Sequence, residues 1–251
     1  MASEAVPMIH PSAYIGPGVE LGEGVSIGPF ATIFGPTVIA DGVWIGAGAS
    51  IGAPPEISSL RQNTAWTGDL DHQGVVVGAR SVIRERVVVH QGSERRTVVG
   101  ADCWLLNGAY LAHDVQLGDA VTVSAGVSIG GHCTVGDRVT IGMNATIHQR
   151  RFISAGAMIG MGTTLTGDVP PFGKVYGVPP RLHGPNVVAM RRRGIDDQVI
   201  AELVRLYGDG DVDLTSAAVA ESLQEIAAEL DEWRSQPSPR PVRAAHGSRA
   251  E

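Results

Sequence analysis

A repeat of six residues is the feature of this sequence that most constrains its fold. An aliphatic residue stands at every sixth position in three blocks, from Ile9 to Ile51, from Val77 to Val89 and from Val99 to Leu165. Period six leaves no apolar stripe at the helical period of 3.6, so the pattern argues against an amphipathic helix. The repeat instead predicts an all-β solenoid, a parallel β-helix in which three hexads form one triangular coil of 18 residues.

The interior of such a coil is narrow and filled by the aliphatic positions. Each coil pairs its backbone groups with the coils above and below it, and it contacts only those neighbours. Functional sites are therefore expected on the outer faces, on loops that interrupt the hexads, or between prisms. Cys103 and Cys133 occupy small inward positions, which predicts packed, reduced thiols for both.

The positions at which the hexad repeat starts, breaks and ends also divide the chain into regions. It predicts a solenoid over 8–169, with loop insertions at 54–76 and 91–98. Loops of that length in a compact solenoid are usually functional. A C-terminal α-helical extension is predicted over 170–234, with a second helix capped by Asp196 or Asp197 and one continuous third helix from about Thr215 to Trp233. The Pro, Ser and Arg content of 235–251 predicts a disordered tail.

Charge and hydropathy exclude several classes of partner. The net charge of −7 gives no overall attraction to nucleic acid or to an anionic membrane surface. No stretch approaches the roughly 20 apolar residues of a membrane span, and the N-terminus lacks a basic segment followed by an apolar one. These features predict a cytoplasmic protein that binds no nucleic acid.

Four histidines stand where the repeat itself does not require them: His90, His113, His132 and His148. Asp114 follows His113, and Gly131 comes 18 residues after it, which places the two on adjacent coils about 4.8 Å apart. An imidazole base and a glycine N–H could then flank one point, as acyl transfer from a thioester requires. The competing interpretation is a set of solvated surface histidines.

Two further alternatives involve no acyl transfer. Histidines from neighbouring faces of a β-helix can bind zinc, and His113 and His148 are 35 residues apart, nearly two coils. A third ligand five residues after His148 would resemble the γ-class carbonic anhydrases, but that position holds Ile153. A non-catalytic β-helical scaffold is the other alternative, and it has no need for His113, Asp114 and Gly131 together.

Five segments carry a resemblance to a known family. They are NGAYLAHD at 107–114, GGH at 130–132, IHQ at 147–149, DVPP at 168–171 and NVVAMRRRG at 186–194. On these segments the chain resembles the bacterial UDP-N-acetylglucosamine O-acyltransferases over residues 8–195. The resemblance implies a left-handed β-helix, a homotrimer, and active sites in the clefts between subunits.

The resemblance also implies roles for single residues on the acceptor side. His113 corresponds to the general base, Asp114 to its orienting partner, and Gly131 to the donor of the oxyanion N–H. The residues expected to bind the small-molecule acceptor are His90, Tyr110, His132, His148 and Gln149.

On the donor side, the resemblance implies an acyl carrier protein as partner. The acyl chain arrives on its phosphopantetheine arm as a substrate, with no further cofactor and no metal. Asn186 and Arg192 are expected to contact the arm or the carrier, and the run 191–193 of three arginines suits an acidic carrier protein.

Departures from the family pattern bear on the choice of substrate. Tyr110 stands where the family usually has histidine, the first insertion is longer and lacks the segment Asp-Leu-Lys-Tyr, and the second is shorter. Met161, with Met158 nearby, replaces a glycine at the end of the hydrocarbon groove, which predicts a shorter acyl chain. The sequence predicts transfer from acyl carrier protein to a nucleotide-linked amino sugar, with another alcohol or amine of a specialised pathway as the alternative acceptor.

Overall fold

The chain folds into the parallel β-helix that its hexads predict. A computed structural model describes residues 8–60, 62, 73–214 and 216–245. Each coil contributes one short strand to each of three sheets, so the sheets form the three faces of a prism. We name them sheets I, II and III in the order in which the chain first reaches them.

The strands of each sheet are short and follow one another along the prism axis. Sheet I consists of Tyr14–Ile15, Thr32–Ile33, Ser50–Ala53, Val88–His90, Tyr110–Leu111, Ser128–Ile129, Thr146–Ile147 and Thr164–Leu165. Sheet II consists of Val19–Leu21, Thr37–Ile39, Val75–Val77, Thr97–Val99, Gln116–Leu117, Thr134–Val135 and Phe152–Ile153. Sheet III consists of Ser26–Ile27, Trp44–Ile45, Val82–Ile83, Trp104–Leu105, Thr122–Val123, Thr140–Ile141, Met158–Ile159, Gly173–Tyr176 and Arg181–Pro185, of which the last two are antiparallel.

The register between coils is the predicted 18 residues. Leu111 lies beside Ile129, and Ile129 lies beside Ile147. The hexad aliphatics from Ile27 to Leu165 are buried and form the core, whereas Ile9, on the open first coil, is 47% exposed. The stacked aliphatic side chains therefore fill the prism along its axis.

Both cysteines are packed in this core, as predicted. Cys103 and Cys133 are fully buried free thiols. Burial raises the pKa of each thiol to about 11. Because the thiolate is the reactive form, neither side chain is suited to act as a nucleophile at neutral pH.

The two insertions leave the prism between sheets I and II. Val88–His90 stacks directly on Ser50–Ala53 although the first insertion separates them in sequence. The fully buried Gln91 closes this corner, because its side-chain amide donates to the carbonyls of Gly35 and Gly52. Residues 61 and 63–72 of the predicted insertion 54–76 lie outside the described residues.

The helical region follows the hairpin at the end of sheet III. It comprises α1 (Val187–Arg192), α2 (Asp197–Gly208), α3 (Ala217–Ser222), a 3₁₀ turn (Gln224–Ile226) and α4 (Ala227–Arg234). Asp196 caps α2, accepting a hydrogen bond from the N–H of Gln198. None of the helices in the described part of the chain is both long enough and apolar enough to cross a bilayer.

The prediction of one continuous third helix is wrong. Leu223 and Ile226 have φ angles of −110° and −114°, and these bends separate α3, the 3₁₀ turn and α4. Both side chains are fully buried. The spacing of the apolar residues therefore predicted correctly which side chains are buried. It did not predict that the helix is interrupted between them.

The prediction of a disordered tail also differs from the structure, which pairs residues 240–245 with the solenoid. The N–H of Arg240 donates to the Asp168 carboxylate, the backbone N–H of Asp168 donates to the Arg240 carbonyl, and the N–H of Val242 donates to the Asp168 carbonyl. Leu182 bonds to the backbone of Arg243 and Ala245 in the same way. The physical reason is that the last coil has no further coil above it, and the tail satisfies backbone groups that would otherwise lack partners. Residues 246–251 lie outside the described residues.

The stacked core generates a prediction about stability. Replacing the fully buried Ile129 with alanine should lower the free energy of unfolding by about 2–5 kcal/mol, because the coils above and below it limit collapse of the cavity. Chemical denaturation measures the change, with Ser128→Ala on the outer side of the same strand as control. Equal stability of the two variants would contradict the core assignment.

Candidate active site

Three turns between sheets I and II stack to form one corner of the prism. They lie at 113–114, 131–132 and 149–150, and we call them the I–II corner. Asp114, His132 and Arg150 form a column along it, each with a left-handed φ of about 60°. The N–H of His132 donates to the carbonyl of His113, and the N–H of Arg150 donates to that of Gly131. Side chains 18 residues apart are thereby held against each other.

His113 is oriented by a buried carboxylate. Its Nδ1 lies 2.6 Å from Oδ2 of Asp114, which is fully buried. Asp114 also accepts hydrogen bonds from the backbone N–H groups of Ser93, Glu94 and Arg95 and from the Ser93 hydroxyl at 2.6 Å. Burial alone would raise the pKa of Asp114, but these hydrogen bonds hold it well below its usual range. The ionised carboxylate favours the His113 tautomer with Nδ1 protonated and Nε2 free to accept a proton.

Gly131 lies directly against the imidazole ring of His113. A Cβ atom added at Gly131 would lie 2.7 Å from both Cε1 and Nε2 of the ring, so only glycine fits at this position without displacing it. Among the residues that the structure describes, the N–H of Gly131 donates to no other group. A free N–H and a free Nε2 therefore lie beside the same point.

His132 completes this part of the corner. Its ring packs edge-on against that of His113 with centroids 5.0 Å apart, and its Nε2 lies 3.7 Å from the Asp114 carboxylate. Burial, supported by repulsion from Arg150 and opposed by Asp114, lowers the pKa of His132. His148 and Gln149 follow on the next coil, where both are exposed and His148 Nδ1 lies 3.0 Å from the Gln149 carbonyl.

His90 and Tyr110 belong to a different cluster, on the outer face of sheet I. The Tyr110 hydroxyl donates to the carboxylate of Glu56, which comes from the first insertion. His90 Nδ1 lies 2.7 Å from the Pro54 carbonyl and 3.4 Å from Glu56, and its ring packs against Tyr110. Burial, followed by Glu56, raises the pKa of Tyr110, so its hydroxyl keeps its proton and acts as a donor.

Met158, Asn186 and Arg192 line a third feature, a groove of about 650 Å³ between sheet III and α1. The other cationic residues of the groove are Arg138, Lys174 and Arg193. Asn186 also caps α1, since its side chain accepts from the N–H of Ala189 and donates to the carbonyl of Gly156. Within one chain the corner and the groove share no lining residue.

Met161 lies in the turn between a strand of sheet III and the next strand of sheet I, outside the residues that line the groove. Its side chain is 70% exposed, whereas that of Met158 is 39% exposed. In a single chain the side chain of Met161 is therefore exposed to solvent. The predicted role of Met161 in limiting the acyl chain stays a prediction.

The corner also holds the one group of potential metal ligands found among the described residues. Donor atoms of His113, Asp114 and His132 lie within 4.8 Å of one another. The Asp114 oxygens, however, already accept several N–H and O–H hydrogen bonds. This arrangement fits a carboxylate that orients an imidazole better than one that ligates an ion.

Ser93 and Glu56 were not singled out from the sequence, although both contact predicted site residues. Each lies in an insertion, where hexad counting assigns no position. The signal that pointed to them was the interruption itself, because loops that leave a regular solenoid often carry functional groups. Their contacts with Asp114 and Tyr110 depend on loop conformations that the repeat does not determine.

Two family models match this chain. Residues 168–236 match the model described as UDP N-acetylglucosamine O-acyltransferase, domain 2. Residues 4–35, 96–131 and 116–149 match the bacterial transferase hexapeptide model. Together these matches cover the helical region and several coils of the prism.

Similar proteins and structures come from several bacteria. A relative from Bartonella henselae named acyl-[acyl-carrier-protein]--UDP-N-acetylglucosamine O-acyltransferase is 38% identical over 208 residues, which are 78% of this chain and 76% of that protein. A relative of the same name from Rhizobium johnstonii is 32% identical over 91% of this chain and 88% of its own length. The solved structure of LpxA, a UDP-N-acetylglucosamine acyltransferase from Bacteroides fragilis, superposes with a TM-score of 0.75 at 26% identity over 94% of this chain and 99% of that chain.

The lowered pKa of Asp114 generates a prediction about stability and pH. An aspartate whose folded pKa lies below its unfolded value of about 3.9 contributes stability above that pH, and the contribution is lost as the pH falls. The cost of Asp114→Asn in unfolding free energy should therefore be larger at pH 7 than at pH 3. Denaturant titrations at both values measure it, with Asp119→Asn on an exposed turn as control. A cost that is the same at both pH values would contradict this electrostatic description.

Proposed function

This chain belongs to the UDP-N-acetylglucosamine O-acyltransferase family, and we propose that it transfers an acyl chain from acyl carrier protein to a hydroxyl group of UDP-N-acetylglucosamine. The observation that carries the proposal is the arrangement of His113, Asp114 and Gly131 at the I–II corner. It supplies a general base, an orienting carboxylate and an N–H donor around one point, which is what acyl transfer from a thioester requires.

In the proposed reaction, His113 Nε2 removes the proton from the acceptor hydroxyl as its oxygen attacks the thioester carbonyl carbon. Asp114 stays ionised and stabilises the imidazolium that forms, through the 2.6 Å contact with Nδ1. The new carbon–oxygen bond gives a tetrahedral intermediate, whose negative oxygen accepts the N–H of Gly131. When the intermediate collapses, the carbon–sulfur bond breaks, and the phosphopantetheine thiolate takes the proton from His113.

The donor side of the site is proposed to be the groove between sheet III and α1. Its cationic lining of Arg138, Lys174, Arg192 and Arg193 suits the phosphate of the phosphopantetheine arm and an acidic carrier protein. Arg193 is less available to a ligand, because its guanidinium pairs with Glu229 and lies over the Phe172 ring. Arg192 is exposed and available to the carrier.

The corner and the groove lie on different parts of one prism, which supports sites shared between copies, and the proposed assembly of these copies is a homotrimer. In such an assembly the I–II corner of one copy faces the sheet III groove of its neighbour. The acyl chain would then lie between copies, where Met161 can contact it although it is exposed in the single chain. A prism whose core is filled with aliphatic side chains offers no internal alternative.

The proposed acceptor side extends from His132 towards His148 and Gln149 along the corner. His90 and Tyr110 lie on the neighbouring face, where Glu56 accepts the Tyr110 hydroxyl. A carboxylate at that position can accept hydrogen bonds from sugar hydroxyl groups. A histidine base can serve either a hydroxyl or an amine, so the geometry of His113 does not choose between them. We propose a hydroxyl acceptor because the relatives are named O-acyltransferases.

The function is tested by following acyl transfer to UDP-N-acetylglucosamine by intact mass of the acyl carrier protein. The native chain should deacylate the carrier only when the sugar nucleotide is present. His113→Ala should lower kcat/KM by roughly 10²–10⁴-fold, because it removes the general base. His10→Ala, on the first coil, serves as control and should match the native chain.

Two outcomes would contradict the proposal. Deacylation of the carrier only with other alcohols or amines would reject the acceptor and favour the alternative substrate. Equal turnover by His113→Ala and the native chain would reject the base.

The predicted acyl-chain ruler is tested with Met161→Gly over a series of carriers with different chain lengths. Each additional buried methylene contributes about 0.8 kcal/mol, so the preferred chain should lengthen once the side chain is removed. Met143→Gly, one coil earlier on the same corner of the prism, is the matched control. An unchanged preference in Met161→Gly would remove Met161 from the description of the donor site.

A further inference from the structure

A second pocket lies on the sheet II side of the I–II corner, next to His132. Its volume is about 300 Å³, at the lower end of the roughly 300–1,000 Å³ of small-molecule sites. Eight residues line it: Glu94, Arg95, His132, Thr134, Arg150, Arg151, Phe152 and Gln236. None of the three arginines was among the predicted site residues.

The three arginines of this pocket differ in the contacts that their side chains make. Arg95 is held in place, because its Nε donates to the Asp114 carbonyl at 3.0 Å and its Nη2 approaches the carbonyl of His132. Arg150 is exposed, and its side chain makes no hydrogen bond or ion pair within the part of the chain that the structure describes. Its charge nevertheless acts on His132, whose pKa it helps to lower. Arg150 is therefore an available cation directly above His132 in the column.

Arg151 is the least exposed of the three, with 11% of its side chain accessible. Its Nη1 lies 3.3 Å from Asp168 Oδ1, yet this buried nitrogen makes no hydrogen bond within the described residues. Each Asp168 oxygen also accepts a backbone N–H, Oδ1 that of Phe152 and Oδ2 that of Arg240. A partly buried guanidinium with an unused donor remains beside the pocket, and such groups are costly unless an acceptor satisfies them.

The charge of the pocket is positive overall. Three guanidinium groups line the pocket with one carboxylate, that of Glu94, and Asp168 pairs with Arg151 at 3.3 Å, so the cations outnumber these carboxylates by one. Planar guanidinium groups bind phosphate oxygens in pairs of parallel hydrogen bonds. Carboxylates and neutral sugars offer fewer acceptor oxygens to three such groups than a phosphate or diphosphate does.

We propose that Arg95, Arg150 and Arg151 form a subsite for a phosphate or diphosphate group of a substrate bound at the I–II corner. The pocket adjoins His132, which packs against His113, so a substrate whose reacting group is at His113 can place a linked anionic group there. The anion is the diphosphate of the nucleotide-linked acceptor if the phosphate of the phosphopantetheine arm occupies the groove between sheet III and α1, and it is the phosphate of the arm only if that groove holds another part of the donor. The subsite deepens the proposed function and rests on it for the identity of the substrate.

The test is isothermal titration of the full chain with UDP, uridine, inorganic pyrophosphate and 4′-phosphopantetheine. Arg150→Ala should weaken binding of the phosphate-bearing ligand about tenfold or more, because charge-assisted hydrogen bonds are lost. Arg150→Lys should retain part of the affinity, and uridine should not distinguish the variants. Arg86→Ala is the matched control, because Arg86 is an exposed arginine with φ of 58° at another corner.

The outcomes separate the sources of the anion. A loss confined to UDP and pyrophosphate assigns the subsite to the acceptor, and a loss confined to 4′-phosphopantetheine assigns it to the donor. Unchanged binding of all these ligands by Arg150→Ala, or an equal loss in Arg86→Ala, would overturn the subsite. Because titration needs no turnover, anion binding without acyl transfer would leave the subsite standing while the proposed function failed.

Discussion

Hydrogen bonding between successive coils is the interaction on which the rest of the structure depends. It sets a register of 18 residues, so that residues far apart in sequence become neighbours along the prism. The same stacking fills the interior with aliphatic side chains and leaves chemistry to the corners and faces. His113 meets Gly131, and Asp114, His132 and Arg150 form one column, as consequences of this register.

Asp114 connects the repeat to its second insertion. Its left-handed φ of 63° turns the chain at the corner, and its buried carboxylate accepts the backbone N–H groups of residues 93–95. The same carboxylate lies 2.6 Å from His113 Nδ1 and favours the tautomer with Nδ1 protonated. Loop order and imidazole orientation therefore depend on one ionised side chain. The same loop contains Arg95, whose guanidinium donates to the Asp114 carbonyl and lines the arginine pocket.

The parts of the structure that follow from the register were predictable from sequence. Hexad counting identified the fold and the buried aliphatics, and a count of 18 placed Gly131 beside His113. The contact of Glu56 with Tyr110 and the pairing of residues 240–245 were not predictable, because they depend on the paths of segments outside the repeat. The break between α3 and α4 was missed because apolar spacing reports the buried face of a helix and not its continuity. Arg150 and Arg151 lie within the repeat, but their cooperation with Arg95 depends on the insertion.

The central claim is that His113 Nε2 and the Gly131 N–H act on the bond being formed, and the most direct measurement is a crystal structure with acylated UDP-N-acetylglucosamine bound. The predicted result places the ester oxygen at about 3 Å from His113 Nε2 and the ester carbonyl next to the N–H of Gly131. Product bound with its ester away from both groups would contradict the claim.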